Sequence, residues 1–471
     1  MIIMNTLGID FGTTSYSACF FSNETRNFLF KNRKNDSLII DGLNNEFKIT
    51  KVRSEFKSFI NDLGEVFNLN EVEAITITGN MHSFFLVKND TPITNIITWQ
   101  DQRSLEKYKD NESYIEYINK NYRELFSKFQ HYLTSGYAVT TLLPLSQIID
   151  FKGCSLHFAP EFLLKELLGD KPYSEIPTDH SLAHSSGFYD LETKDWNYRL
   201  IEELGYKDLL LPRIEDAGSF IGYVGNHIPQ LSGVPIYLGM GDNQASVLGS
   251  IFEKKINDEF ANIFDESKIL VMNIGTSGQI SSVTCKTNNV SEFLEYRPFV
   301  DDYLLLVGAS LSAGKTIEII KNFTKEILRK ITKKSYDDNK IYEIIKNSVL
   351  PYSTLKFRTT LNGTRYDPYL RGFIDNIGLT NFTYENLITA AAYGIIEELY
   401  FYYQKMDFDC ETIIGIGTGL QKNPFFQNII KKVFKRDFFL SKLKETTSFG
   451  AAICALNARL YGKEVLDHDF K

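Results

Sequence analysis

The sequence predicts an α/β chain built from two related domains, and three observations predict it. The chain has 471 residues, more than one hydrophobic core usually organises. Short β-rich runs are mixed with segments of helical period, as in sheets covered by helices. One local plan also occurs twice. "LGIDFGTTSYSACFF" (Leu7–Phe21) and "ILVMNIGTSGQISSV" (Ile269–Val283) each run from an apolar stretch through a Gly-Thr bend into a second apolar stretch.

Taken in order, Leu7–Phe11, Tyr16–Phe21 and Asn27–Lys31 read as three strands of a meander, broken by Gly-Thr-Thr-Ser and Ser-Asn-Glu. Val52 to Phe67 alternates apolar and charged residues with helical period, and Ala74–Thr78 reads as a strand that stops at Gly79. "YLGMG" is strand-like and leads into a small-residue helix, "DNQASVLGS". In the second half, "YLLLVG" precedes the helical "TIEIIKNF", and Thr412–Ile414 precedes "GIGTG" and the helical "PFFQNIIKKVF". No Pro-rich linker or low-complexity stretch marks a boundary, so motifs place it near residue 245, giving domains 1–245 and 246–471.

Composition excludes several classes. A hydrophobic fraction of 43% and a charged fraction of 23% are globular values. A net charge of −8 argues against nonspecific nucleic-acid binding, and the basic stretches Lys321–Lys334 and Lys431–Arg436 fit solvated helix faces. The five cysteines are scattered without a C-x-x-C pair, so neither a zinc site nor a disulfide framework is indicated. No signal peptide or bilayer-length apolar stretch is visible, and a cytoplasmic location is expected.

The residues that carry chemistry sit at strand ends. A Gly-Thr bend offers amides and hydroxyls, which are donors for phosphate oxygens, and two such bends in equivalent contexts favour phosphate binding over mere turns. Asp10 ends its strand beside two hydroxyls. A buried carboxylate there is costly unless paired or metal-bound, and a hard oxygen ligand beside a phosphate loop suits Mg²⁺. Asp242 also follows a strand. A carboxylate so placed can point into a ligand crevice or cap the following helix, and the residues leave both open. "ITWQDQRS" sets Trp99 among Asp101 and Arg103, either a polyol platform or an indole beside a structural ion pair. His82 follows the strand Ala74–Thr78, although a lone His is more often structural. "ASLSAGKT" imitates a P-loop, but Gly308 is one position too early and no second strand ends on a metal-binding Asp in the expected order. "GIGTG" imitates a dinucleotide fingerprint, yet Leu420 occupies the place of the third glycine.

In this order, the motifs resemble the FGGY carbohydrate kinases, of the actin-like (ribonuclease H-like) superfamily. "GIDFGTTS" resembles the first phosphate motif and "ITWQDQR" the W-x-D-x-R signature. "GMGDNQAS" resembles the catalytic G-x-x-D-x-x-A motif, "NIGTSG" the second phosphate motif and "GIGTGLQKNPFFQ" the adenosine motif. "TWQDQR", "VGASLSAG" and "LNGTRYDPYLRGFIDNIGLTNFT" are most similar to the sedoheptulokinase group, and xylulokinases share much of this.

The resemblance implies two actin-like domains with an interdomain catalytic cleft, and ATP with Mg²⁺ as cofactors. It implies that Asp242 is the general base and that Asp10 holds the metal. Gly12, Thr13, Thr14, Gly275, Thr276, Gly314, Gly417, Thr418 and Asn423 would bind ATP. Met81, His82, Trp99, Asp242 and Asn243 would contact the sugar. The implied partner is a small sugar, with no nucleic acid and no membrane, and a homodimer stays open. Xylulokinase or another ketose or polyol kinase is the rival activity, and a non-catalytic sugar- or nucleotide-binding protein the rival class. Four positions depart from the family pattern. Ser17 stands where a basic residue is usual, and Thr418 replaces the second glycine of the adenosine motif. "SLHFAPEFLLKEL" lacks the Asp that usually follows its His, and the acidic context before the final "GAA" is reduced to "KETTSFGAA".

Overall fold

The computed structural model describes residues 3–126, 133–257, 268–285, 287, 291–367 and 369–462. The chain divides into two compact units. The first is Met1–Asn262 with Arg297–Leu304 and Glu445–Lys471, and the second is Ile263–Tyr296 with Leu305–Lys444.

The central sheet of the first unit begins with the expected meander, Asn5–Phe11, Ser15–Ser22 and Asn27–Lys34, all antiparallel neighbours. On the other side of the opening strand lies Ala74–Gly79, parallel to it, and then Pro235–Gly241, parallel again. Buried residues fill the opening strands because both sheet faces are covered. On one face pack Val52, Phe56 and Phe59 from the helix Ile49–Leu63, with Phe162 and Leu167 from the helix Ala159–Leu168. The other face takes the last helix, Thr446–Tyr461, whose Ala455 and Ala458 meet Ala74 and Tyr237.

The helix expected over Val52–Phe67 starts earlier and stops at Leu63. Gly64 closes it, its amide donating to the carbonyls of Asn61 and Asp62, and Phe67 enters the core from the turn beyond. A second, antiparallel sheet runs Cys154–Phe158, Phe84–Lys88, Ile96–Ile97, Asn44–Phe47 and Leu38–Asp41, and the Trp99 segment follows its strand Ile96–Ile97.

The second unit repeats the plan. Ile269–Ile274 and Gly278–Thr284 form the antiparallel hairpin, with Thr412–Ile416 and then Asp437–Leu440 parallel on one side. Leu304–Ser310 and Glu295–Pro298 continue the other side. In both units, therefore, a Gly-Thr hairpin is flanked by two parallel strands, and the repeat seen in the sequence is a repeat of topology. All five cysteines are free, and among the described residues no helix is long and apolar enough to cross a membrane.

Candidate active site

Three parallel neighbours of the first sheet end on the same edge, and their ends carry the candidate residues. Asp10 is the penultimate residue of the opening strand, Met81 and His82 follow Ala74–Gly79, and Asp242 follows Pro235–Gly241. Asp242 is the first residue of the helix Asp242–Asn257, and its Oδ1 accepts from the amide of the next residue, Asn243, at 2.8 Å. A capping side chain would instead reach the amides two or three residues on. Burial pushes the Asp242 carboxyl up to about 6, against the opposing pull of the Asn243 and Met81 amides and the Arg297 charge. Asp10 is raised well above the usual carboxylate range, by burial first and then by the charges of Asp242 and Glu445.

Both carboxylates are packed deep yet keep an open edge. Asp10 Oδ1 is a buried acceptor with no hydrogen-bond partner among the described residues. An orphaned acceptor beside a second acid fits a divalent cation. No cluster of three or more His, Cys, Asp or Glu side chains that could hold a metal occurs among the described residues.

The first Gly-Thr bend is tightly braced. The Gly12 amide donates to Ser15 O at 2.9 Å, and Asn35 ties both ends, its amide reaching Thr14 O (2.9 Å) and its Nδ2 reaching Gly12 O (3.0 Å). Thr13 Oγ1 donates to Asn80 Oδ1 at 2.8 Å and accepts from Trp99 Nε1 at 3.1 Å. A hydroxyl expected to serve phosphate thus also links the bend to the indole. Thr14 is exposed. Asn35 and Asn80 lie outside the sequence motifs, although Asn80 directly follows a strand end.

The Trp99 segment divides between its two readings. Trp99 is 42% exposed, whereas Asp101 and Arg103 are buried and pair through two contacts of 2.8 Å. Glu46 adds a third carboxylate contact to Arg103 at 2.5 Å. The ion pair is buried, and the indole is the exposed part of the motif. His82 has left-handed backbone (φ 63°), and its ring meets Tyr137 edge-on with centroids 4.4 Å apart. Non-glycine residues in that region need surrounding structure to hold them there, a feature that clusters at functional sites. Met81 is buried.

Two departures from the family pattern have local explanations. Ser17 is buried, and its hydroxyl shares a 2.8 Å hydrogen bond with that of Ser448. His157, in its strand, finds its acid four residues on in the following helix, its Nδ1 lying 2.8 Å from Glu161 Oε2.

In the second unit, Gly275, Thr276, Gly314, Thr418 and Asn423 line one pocket of about 420 Å³. Gly314 is required by packing, since a Cβ there would overlap Gly275 O and crowd the bend. The Lys315 amide donates to Thr276 O at 3.1 Å, while its side chain is exposed outside the pocket lining. The Thr316 hydroxyl is engaged by Ser312 O at 2.7 Å. "AGKT" is thus a helix start packed on a hairpin bend rather than a P-loop. Gly417 has φ 92° and lies against Ile274 rather than in the lining. Unforeseen lining residues come from the helix Asp338–Asn347, where Asn339, Tyr342, Glu343 and Lys346 follow the i, i+3, i+4, i+7 spacing of one face.

Residues 5–249 match the N-terminal domain of the FGGY family of carbohydrate kinases, over more than half of the chain. The chain belongs to that family. It is a carbohydrate kinase, a phosphotransferase. It is 24% identical to a gluconokinase of Bacillus subtilis (strain 168), over 96% of this chain and 87% of the relative. To a sedoheptulokinase of Mus musculus it is 21% identical, over 98% of each. The fold is that of a gluconate kinase from Lactobacillus acidophilus (TM-score 0.77, 19% identity, 98% of this chain and 91% of that one). It is likewise that of a Plasmodium falciparum glycerol kinase with ADP (TM-score 0.76, 19% identity, 97% and 90%).

Proposed function

We propose that this carbohydrate kinase transfers the γ-phosphoryl group of ATP to a ketose hydroxyl, with sedoheptulose, giving sedoheptulose 7-phosphate, as the preferred acceptor. The observation that carries the reaction is the meeting of Asp10, His82 and Asp242 at one edge of three parallel strands, with an exposed Trp99 hydrogen-bonded to the Gly-Thr-Thr bend. Asp242, ionised above about 6, takes the hydroxyl proton. The sugar oxygen then bonds to the γ-phosphorus as the bond to the bridging oxygen breaks, and ADP leaves. Asp10 would hold Mg²⁺, which when bound neutralises charge on the transferring phosphate.

In this reading the first unit takes the sugar through Met81, His82, Trp99, Asp242 and Asn243, and phosphate at Gly12, Thr13 and Thr14. The 420 Å³ pocket of the second unit is the candidate adenosine site, with Gly417 fixing the turn before Thr418. The choice of sedoheptulose is supported by the three sequence segments named above and by the full-length likeness to the mouse sedoheptulokinase.

The test is coupled ADP release with Mg-ATP against sedoheptulose, D-xylulose, D-ribulose, D-fructose, D-gluconate and glycerol. Highest kcat/KM with sedoheptulose supports the choice. A higher value with any other acceptor replaces the substrate and keeps the mechanism.

Two variants separate the nucleotide pocket from its scaffold. A Cβ on Gly275 would meet nothing within 4 Å, so the protein leaves space there that a phosphate can use. Gly275→Ala is expected to melt like wild type and raise the KM for ATP about tenfold, through crowding of the ligand. Lys315→Ala is expected to change ATP KM by less than about threefold, because surface substitutions away from a site cost little. Loss of ATP binding in Lys315→Ala would restore the P-loop reading.

A further inference from the structure

We infer that the short helix His180–Ser185 is a positioning shelf for Asp242, with Ser181 and Ser185 each holding one backbone amide beside it. This rests on Asp242 being the base. The two serines are four residues apart and so share a helix face. Ser181 Oγ accepts from the Gly241 amide at 2.8 Å, and Gly241 is the residue before Asp242. Ser185 Oγ accepts from the His82 amide at 2.9 Å, and His82 follows Met81, whose amide faces the Asp242 carboxyl and favours its ionised form. One serine therefore fixes the strand end from which Asp242 projects. The other fixes the loop that carries the Met81 amide facing its carboxyl.

The serines are themselves held. The Ser181 hydroxyl donates to Asp179 Oδ2 at 2.6 Å, which leaves its lone pairs for Gly241. Asp179 also accepts from the Ser181 amide (2.8 Å) and the Leu182 amide (3.0 Å). The Ser185 hydroxyl donates to Leu182 O at 2.7 Å, and Ser185 O accepts from His82 Nδ1 at 2.7 Å. Asp179, Ser181 and Ser185 are all buried, so water cannot replace a lost partner cheaply. The same contacts hold His82 in its left-handed conformation, which joins the candidate sugar contact and the candidate base to one rigid support.

The test compares Ser181→Ala, Ser181→Thr, Ser185→Ala and Asp242→Asn at saturating Mg-ATP, with sugar varied and melting followed in parallel. Ser181→Ala is expected to lower kcat about tenfold to a hundredfold with sugar KM within about twofold, since a small misplacement of the base costs rate rather than affinity. Ser181→Thr, which keeps the hydroxyl, is expected to recover most of that rate. Should Ser181→Ala fail to fold, Ser185→Ala is judged by the same split. Wild-type kcat in the folded serine-to-alanine variant, or a loss confined to sugar KM, overturns the shelf while an inactive Asp242→Asn leaves the base reading standing. An active Asp242→Asn removes the base reading and the shelf with it.

Discussion

Asp242→Asn is expected to lower kcat by about a thousandfold or more, with sugar KM nearly unchanged. General-base transfer typically contributes about 10²–10⁴-fold. An amide keeps the shape of the carboxyl, so binding contacts that do not depend on charge survive. The wild-type rate should fall about tenfold per pH unit below about 6, where Asp242 takes up its proton, and level off above it. That acidic limb should vanish from the residual activity of the variant. Near-normal rate in Asp242→Asn would remove the residue from the base role.

The same substitution should stabilise the protein. The folded carboxyl titrates at about 6 rather than at 3.8, so the fold favours the protonated form. That contribution is present in full below the unfolded value and is lost as pH rises through about 6. At pH 8 the ionised group costs on the order of 2 kcal/mol, after allowance for solvent at its open edge. Asp242→Asn should therefore melt a few degrees above wild type at pH 8, and the gap should close on acidification to pH 4. A variant that melts lower at pH 8 would contradict the burial argument. A residue that destabilises the fold and supports the rate has the signature of a functional acid.

Much of this edge is legible in the sequence because its signals are local. An apolar run, a Gly-Thr bend and another apolar run predict the hairpins of both units, and strand ends locate Asp10, His82 and Asp242 without knowledge of their neighbours. Signals that depend on distant partners are not legible. Whether Trp99 or Asp101 is buried depends on Asn45 and Glu46, which reach the motif from another part of the chain: Asp101 Oδ2 accepts from the Asn45 amide at 2.9 Å. Asn35 and Asn80 act on the first bend from other segments, so nothing beside the bend announces them. The helical period of Asn339, Tyr342 and Lys346 can be read, but which face meets a pocket cannot. The return of the last helix had a signal, the small-residue runs "DNQASVLGS" and "SFGAA", whose meaning is clear only once they are set against each other.

Those runs support the second large effect. Gly450→Val is expected to destabilise the first unit by on the order of 3–5 kcal/mol, with melting lowered by about 10 °C or loss of soluble protein. A Cβ on Gly450 would overlap Ala245 O, one on Gly249 would overlap Thr446 O, and one on Gly8 would overlap Ser448 O and Ala452 N. Three elements thus meet backbone to backbone: the opening strand, the helix begun by Asp242 and the last helix. No side-chain rotation relieves an overlap with a carbonyl, so the helices must separate. Their separation would draw Ala455 and Ala458 off Ala74 and Tyr237. It would also tilt the helix that carries Asp242 at its first turn, so rate and stability should fall together in Gly450→Val. They part in the other two variants: Asp242→Asn loses rate and gains stability, and Gly275→Ala loses ATP affinity with melting unchanged. A Gly450→Val protein that melts within about 2 °C of wild type would show that the crossing has slack, because an overlap of this kind leaves no cheaper way out than moving a helix.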